Sequence, residues 1–312
     1  MSGPAGAASP SIAVVGSANL DVVVPVRRHP RLGETVIGGD HYRATGGKGA
    51  NQAVACARLG ARTRFVGCVG DDEVGDTLRQ ALANDDVDVT DLAALEGVPS
   101  GLALIVVGVD GENTIVVSPG ANDRLSTEHV VAARLGDAAA VLLQLEVPVP
   151  TVAAAAAAAE ALVVLNPAPA ATLPSELLHR VDVLVPNRGE LATLAGSDRE
   201  PRTIDEVVDL VGTLEGPSQV VVTLGADGAL VVDGGRVVPV AAPVVEAVDA
   251  TAAGDSFCAA LTVALIEGAD LARAARWASA VAAVTVTRKG AQPSLPRRTE
   301  LRQQWHEGDD VT

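Results

Sequence analysis

The sequence predicts an α/β fold: a three-layer core with a mainly parallel central sheet, and a small second β-sheet acting as a lid. Three observations predict it. Apolar, Val-rich runs recur at Ile12–Val15, Thr63–Val69, Ala140–Leu145, Leu162–Leu165, Val181–Val185 and Val220–Leu224. Strands apolar throughout belong to parallel sheets covered on both faces. Helical stretches alternate with these runs, which requires right-handed βαβ crossovers. Two segments, about 20–43 and 98–118, break the alternation and read as β-structure alone.

The elements follow in chain order. Residues 1–10 (MSGPAGAASP) are expected to be a flexible leader, lacking the basic start and apolar run of a secretory signal. The first strand stops at Gly16. Residues 20–43 alternate loosely at Val22, Val24 and Val26 and are broken by Pro25 and Pro30, which predicts short exposed β-segments rather than core. Lys48–Leu59 is a helix with Gly60 as its C-terminal stop. Strand Thr63–Val69 and helix Asp76–Ala83 come next. GLALIVVGVDGENTIVVSP holds two β-runs joined at Asp110-Gly111, a strong hairpin signal. Strand Ala140–Leu145 leads to an Ala-rich helix at 151–161, which carries no chemistry because Ala is simply the best helix former. Strand Leu162–Leu165 runs into Asn166-Pro167, and Val181–Val185 into Pro186-Asn187 and a helix near 188–195. Strand Val220–Leu224 is followed by Gly225, and helices at about 254–267 and 270–287 close the pattern. One α/β domain over 11–298 is expected, with a C-terminal tail at 299–312.

Composition excludes several classes of function. The formal charge of −16 repels nucleic-acid phosphates and anionic lipid, so neither nucleic acid nor a membrane is an expected partner. Aromatics are 2% of residues, too few for base-stacking platforms and so few that Ala, Val and Leu must fill the core. No apolar stretch has the length and flanks of a membrane span. Cys56, Cys68 and Cys258 form no CxxC pair and no zinc spacing, and read as buried thiols of a reducing, cytoplasmic compartment.

Ligands of a parallel sheet sit at the carboxyl ends of its strands, and the chain places polar residues there. In DATAAGDSF (249–257), small residues lead into a helix whose first amides are unpaired and carry partial positive charge. Asp255 in its first turn is either a base beside an anion hole or a helix cap. In GGKGANQA (46–53) glycines surround Lys48, but the phosphate-loop pattern is not satisfied. The segment presents amides, Lys48 and Asn51 to a small polyol, or merely starts a helix. GSANLD (16–21) sets Asn19 and Asp21 at the rim, for vicinal hydroxyls or for an Asx turn. Asn187 and Glu190 share one face of a helix start, suited to water-mediated Mg²⁺ or to a capping box.

The order and spacing of GGKGANQA, NPAPA (166–170), PNxxE (186–190), TLGxxG (223–228), AVDxxAAGD (247–255) and TRKGAQPS (287–294) resemble the ribokinase and phosphofructokinase-B sugar kinases. The resemblance covers about residues 11–296, and TRKGAQPS with NPAPA points to the ribokinase branch. It implies ATP-dependent phosphorylation of D-ribose at its 5-hydroxyl. Asn19, Asp21, Gly47, Lys48, Asn51 and Glu146 would bind the sugar, and Asp255 would be the base. Ala252, Ala253 and Gly254 would supply anion-hole amides. Asn187 and Glu190 would organise Mg²⁺ and the phosphates, with Thr223, Gly225, Gly228 and Ser279 bordering the nucleotide. A monovalent cation, K⁺, would sit at Asp249, Thr251, Thr285, Arg288, Gly290 and Ser294, several of them through backbone carbonyls. The family also implies a homodimer formed through the lid. Ser279 stands where such kinases often carry His, and Ala250 where they carry Thr. The rival readings are a kinase for another sugar or a nucleoside, a sugar sensor without catalysis, and an oxidoreductase, the last disfavoured because G-x-G-x-x-G does not follow the first strand. A substrate panel with ADP detection separates them.

Overall fold

In the computed structural model, residues 11–109 and 112–304 are described. The leader 1–10, the Asp110-Gly111 turn and residues beyond 304 lie outside the described residues. Among the described residues the chain forms thirteen strands: β1 (Ser11–Val15), β2 (Asn19–Pro25), β3 (Tyr42–Gly46), β4 (Arg62–Gly70), β5 (Leu92–Leu95), β6 (Gly101–Val107), β7 (Asn113–Ser118), β8 (Ala140–Leu143), β9 (Leu162–Leu165), β10 (Val183–Leu184), β11 (Gln219–Thr223), β12 (Ala229–Asp233) and β13 (Arg236–Val240).

Nine of these form one sheet in the order β13-β12-β11-β10-β9-β8-β1-β4-β5. All neighbours from β11 to β5 pair in parallel, and only β12 runs against the rest, pairing antiparallel with both β11 and β13. The two-residue alternation of strands makes the three layers. Ile12 and Val14 of β1 face one apolar cluster, with the helices Lys48–Arg58, Ala253–Ile266 and Leu271–Thr285. Ala13 and Val15 face a second cluster, with the Ala-rich helix Val149–Ala158. The small side chains predicted to fill the core do so. Phe65 is the one aromatic among the largest fully buried side chains.

The second sheet has the order β3-β2-β6-β7, with β2 and β6 parallel and the outer pairs antiparallel. Asn19 opposes Gly46 and Gly101, and Leu102 opposes Ser118. All four strands therefore enter or leave this sheet at one edge, beside the core. Asn122, 1% exposed, fastens that edge: its Oδ1 accepts from Ala18 N (2.9 Å), and its Nδ2 donates to Ala18 O (3.2 Å) and Asn19 Oδ1 (2.7 Å). One side chain thus ties the point where the chain leaves the core to the point where it returns.

Some expectations need correction. Residues 20–43 are not merely short exposed β-segments. β2 buries Leu20 and Val23 against the core, and residues 26–41 carry no strand. The expected tail at 299–312 opens as a helix, Arg298–Gln304, which buries Leu301. The apolar run 181–185 pairs only at Val183–Leu184, and the Ala-rich helix stops at Ala158, with Ala159 already extended.

Candidate active site

The carboxyl ends of β1, β8, β9, β10 and β11 converge on the start of helix Ala253–Ile266. Asp255, in its first turn, is 6% exposed. Its Oδ2 accepts from Asn51 Nδ2 (2.9 Å) and its Oδ1 from Gln52 Nε2 (3.2 Å). Burial raises its pKa, while Lys48 and the Asn51 amide pull it back. Both readings of Asp255 are thus resolved geometrically. The carboxylate does not cap its own helix but receives side-chain donors from another one.

Those donors are themselves held. Gln144, just past β8, donates Nε2 to Gln52 Oε1 (2.6 Å), which aims the Gln52 amide at Asp255 and at Asn166 Oδ1 (3.3 Å). Asn166 in turn donates to Val185 O (3.0 Å). Glu146 Oε2 accepts from Lys48 N (3.0 Å) and Ser17 Oγ (2.5 Å), so it anchors the start of helix Lys48–Arg58. A carboxylate at a helix N-terminus is electrostatically favoured there. Gly47 precedes that helix at φ 87°, and a Cβ there would meet Asn19 N at 2.8 Å and Ala18 Cα at 2.9 Å. Only glycine fits. Burial would depress the Lys48 ammonium, but the carboxylates of Asp255, Glu146 and Glu190 hold its pKa above the ordinary value.

Lys48, Asn187, Glu190, Thr223, Gly254 and Asp255 line one cavity of about 220 Å³. Asn187 and Glu190 form the capping box: Glu190 N donates to Asn187 Oδ1, and Asn187 N to Glu190 Oε2, both at 2.8 Å. The Glu190 carboxylate still lines the cavity, and burial raises its pKa against the pull of the Asn187 amide and Lys48. An isolated bridge between Asn187 and Thr223 closes the wall. Ala252 starts the helix in left-handed backbone at φ 60°, and the Ala253 amide turns back to Ala250 O (3.2 Å). The amides left without an intrahelical acceptor at this end are therefore those of Gly254 and Asp255. Of the expected anion-hole residues, Ala253 is otherwise engaged. Gly254 opens into this cavity and into a second, of about 480 Å³, which Thr223, Gly225, Gly228 and Ser279 also line.

Sequence reasoning missed Gln52, Gln144, Ser17 and Asn122. Gln52 and Ser17 lie inside the segments singled out, beside Asn51 and before Asn19, and a buried polar residue next to a site residue was the available signal. Gln144 and Asn122 become visible only once strand ends are assembled in space.

The pfkB family carbohydrate kinase profile matches residues 9–298. The chain belongs to that family. It is 40% identical over 296 residues to a ribokinase of Haemophilus influenzae, spanning 93% of this chain and 96% of that protein. A Bacillus subtilis ribokinase is 37% identical over 93% of this chain and 98% of its own. Among solved structures, the Thermotoga maritima ribokinase superposes with a TM-score of 0.86 at 34% identity, over 94% of this chain and 98% of that one. An Arabidopsis thaliana ribokinase complexed with ribose and ATP gives 0.85 at 34% identity, over 95% and 98%.

The residues expected at the cation sites of this kinase meet only in part. Asp249 Oδ1 accepts from Thr251 N (2.9 Å) and Thr251 Oγ1 (2.6 Å), and Oδ2 from Gly290 N (2.8 Å). Burial opposes its ionisation, and these hydrogen bonds outweigh it, keeping the carboxyl below the ordinary range. Thr285 Oγ1 meets Ser256 Oγ (3.0 Å), Arg288 pairs with Glu300 (2.8 Å), and Ser294 Oγ turns back to Ala291 O (2.7 Å). The hydroxyls and guanidinium are thus occupied. The group that fits a monovalent cation is one ionised carboxylate with main-chain carbonyls. Likewise Glu190, beside a polar cavity, fits a divalent ion held through water. Among the described residues no three His, Cys, Asp or Glu side chains form a metal cluster, and no helix is long and apolar enough to cross a membrane.

Asp21, on β2, has its carboxyl pushed up to about 7, first by burial and then by the nearby Glu146 carboxylate. A raised folded-state pKa favours folding below the unfolded value and loses that advantage as pH rises through about 7. The ligand-free Asp21→Asn variant should therefore melt above wild type at about pH 8 but not at about pH 4. If the ionised carboxylate accepts from sugar hydroxyls, KM for the sugar should rise about tenfold per pH unit below about pH 7. A KM unchanged between about pH 5.5 and 8 would show that Asp21 does not read the sugar as an anion.

Proposed function

We propose that this chain transfers the γ-phosphoryl group of ATP to the 5-hydroxyl of D-ribose, with Asp255 as general base. The observation that carries the reading is the buried Asp255 carboxylate in the first turn of a helix whose free Gly254 and Asp255 amides open into a cavity shared with Lys48. Asp255 takes the proton of the attacking hydroxyl, its basicity sustained by burial. The amides of Gly254 and Asp255 and the Lys48 ammonium face charge developing on the transferred group. Asn51, whose Oδ1 is buried and unpartnered, offers an acceptor to a sugar hydroxyl. Asn19, Asp21, Gly47, Lys48 and Glu146 complete the sugar site. The ribokinase relatives, and the Arabidopsis ribokinase complexed with ribose and ATP, support ribose as the acceptor.

Asn187 and Glu190 would hold Mg²⁺ through water, and that ion, when bound, screens phosphate charge. Asp249, with the carbonyls of Thr251, Thr285, Arg288, Gly290 and Ser294, would hold K⁺, adding positive charge beside the helix start. The second sheet would serve as a lid and as a dimer surface, since it exposes Leu104, Ile115, Val116 and Val117 together. Three free, buried thiols suit a reducing cytoplasm.

Asp255→Asn should bind nucleotide normally and lose about 10²–10⁴-fold in turnover. Turnover near wild type would leave Asp255 a structural residue. In a substrate panel, ribose should exceed fructose, 2-deoxyribose and adenosine, because a buried polar site penalises a ligand that leaves its groups unpaired. Adding K⁺ at constant ionic strength should raise activity, and a flat titration would remove the cation site. Light scattering should report twice the chain mass, and a monomer at assay concentration would remove the lid dimer.

A further inference from the structure

The larger cavity contains a group that phosphoryl transfer does not use. Its walls include Phe257, Ala282, Val286, Pro243 and Val245, and among the described residues no Asn, Gln, Asp, Glu, His, Lys or Arg side chain lines it. Two hydroxyls do. Thr223 is shared with the smaller cavity, so it lies toward the transferred phosphates. Ser279, on helix Leu271–Thr285, lines only the larger one. It is 5% exposed, and its Oγ has no hydrogen-bond partner. A serine inside a helix ordinarily bonds back to the carbonyl four residues earlier. This one does not, and an unpaired buried hydroxyl is unfavourable until something fills the cavity.

We propose that Ser279 determines the base specificity of the phosphoryl donor and accepts adenine and guanine alike, so that this kinase uses ATP and GTP with similar efficiency. The inference rests on the kinase reading above. At the six position adenine carries an amine donor and guanine a carbonyl acceptor. A side chain tells them apart only if its donor or acceptor is fixed, so that the wrong base leaves it unpaired. A serine hydroxyl rotates, accepting from the amine or donating to the carbonyl. The remaining side chains recognise the base by apolar contact, which both purines supply equally. A pyrimidine fills less of the cavity and buries less apolar surface.

The test measures kcat/KM for ATP, GTP and CTP with ribose, following the sugar phosphate, and calorimetric binding of ADP and GDP to the same protein. GTP should lie within about tenfold of ATP, and CTP at least about tenfold below GTP. Ser279→Ala should weaken ADP and GDP by a similar factor, about three- to tenfold, while the ligand-free protein melts no lower than wild type because an unpaired buried hydroxyl is removed. Ser279→Asn, which installs a fixed amide, should separate the two purines. A wild-type preference for ATP above about tenfold, or a Ser279→Ala variant that binds both diphosphates like wild type, overturns the proposal. Equal binding of ADP and GDP with no turnover would sink the kinase reading on which this one rests, whereas turnover with ATP and not GTP overturns this one alone.

Discussion

Removing a carboxylate from water costs several kcal/mol unless its surroundings repay it with hydrogen bonds and an opposite charge. Asp255 sits at that limit, and the rest of the site is arranged around it. Asn51 and Gln52 both donate to it, from consecutive positions on another helix. Gln144 fixes Gln52, and Glu146 fixes the helix that carries both donors. Lys48 supplies the charge. Because the donors are neutral amides rather than a guanidinium, the carboxylate stays ionisable without being locked into an ion pair. That combination suits a group that must take up a proton and give it back.

The same network explains an apparent mismatch. An acidic chain is a poor scaffold for binding a polyphosphate, since its far field is repulsive. Attraction has to be local, and the half-buried Lys48 ammonium and the Gly254 and Asp255 amides are the groups available for it. The left-handed backbone at Ala252 and the return of the Ala253 amide to Ala250 O aim the next two amides outward. Glu190 shares the cavity with Lys48, so the cavity presents a mixed field rather than a purely positive one.

Much of this was legible in the sequence, because parallel strands announce themselves as continuous apolar runs and the residues after them mark the rim. Asn166, Asn187, Glu190 and Thr223 are reached that way, and Asp255, Lys48 and Asn51 through the small-residue helix starts that carry them. The antiparallel β12–β13 extension carries its own signal, Gly234-Gly235 between two Val-rich runs, a two-residue hairpin turn that sequence reasoning missed. β10 also misleads: four apolar residues around Asp182 suggest a full strand, yet only Val183 and Leu184 pair, because Pro186 has no N–H with which to continue the ladder. The role of Glu146 was read only in part. Only the family resemblance points to it, and its attachment to Ser17 and Lys48 N depends on separate strand ends meeting in space. Gln144 and Asn122 lie in the same blind spot, their partners being 92 and 104 residues away.

The second sheet is fastened to the core near one edge, where Asn122 ties Ala18 and Asn19 to the returning chain and Thr45 Oγ1 on β3 donates to Gln292 Oε1. Mechanically it is a cantilever. β2 and β6 are seven residues each, a reach of about 23 Å from that support. A rotation of about 10° there carries the far tip through about 4 Å while Asn19 and Gly101 hardly move. Flexing would thus be greatest where the sheet meets solvent and least where it meets the core, so the lever could swing without disturbing the groups at its fulcrum.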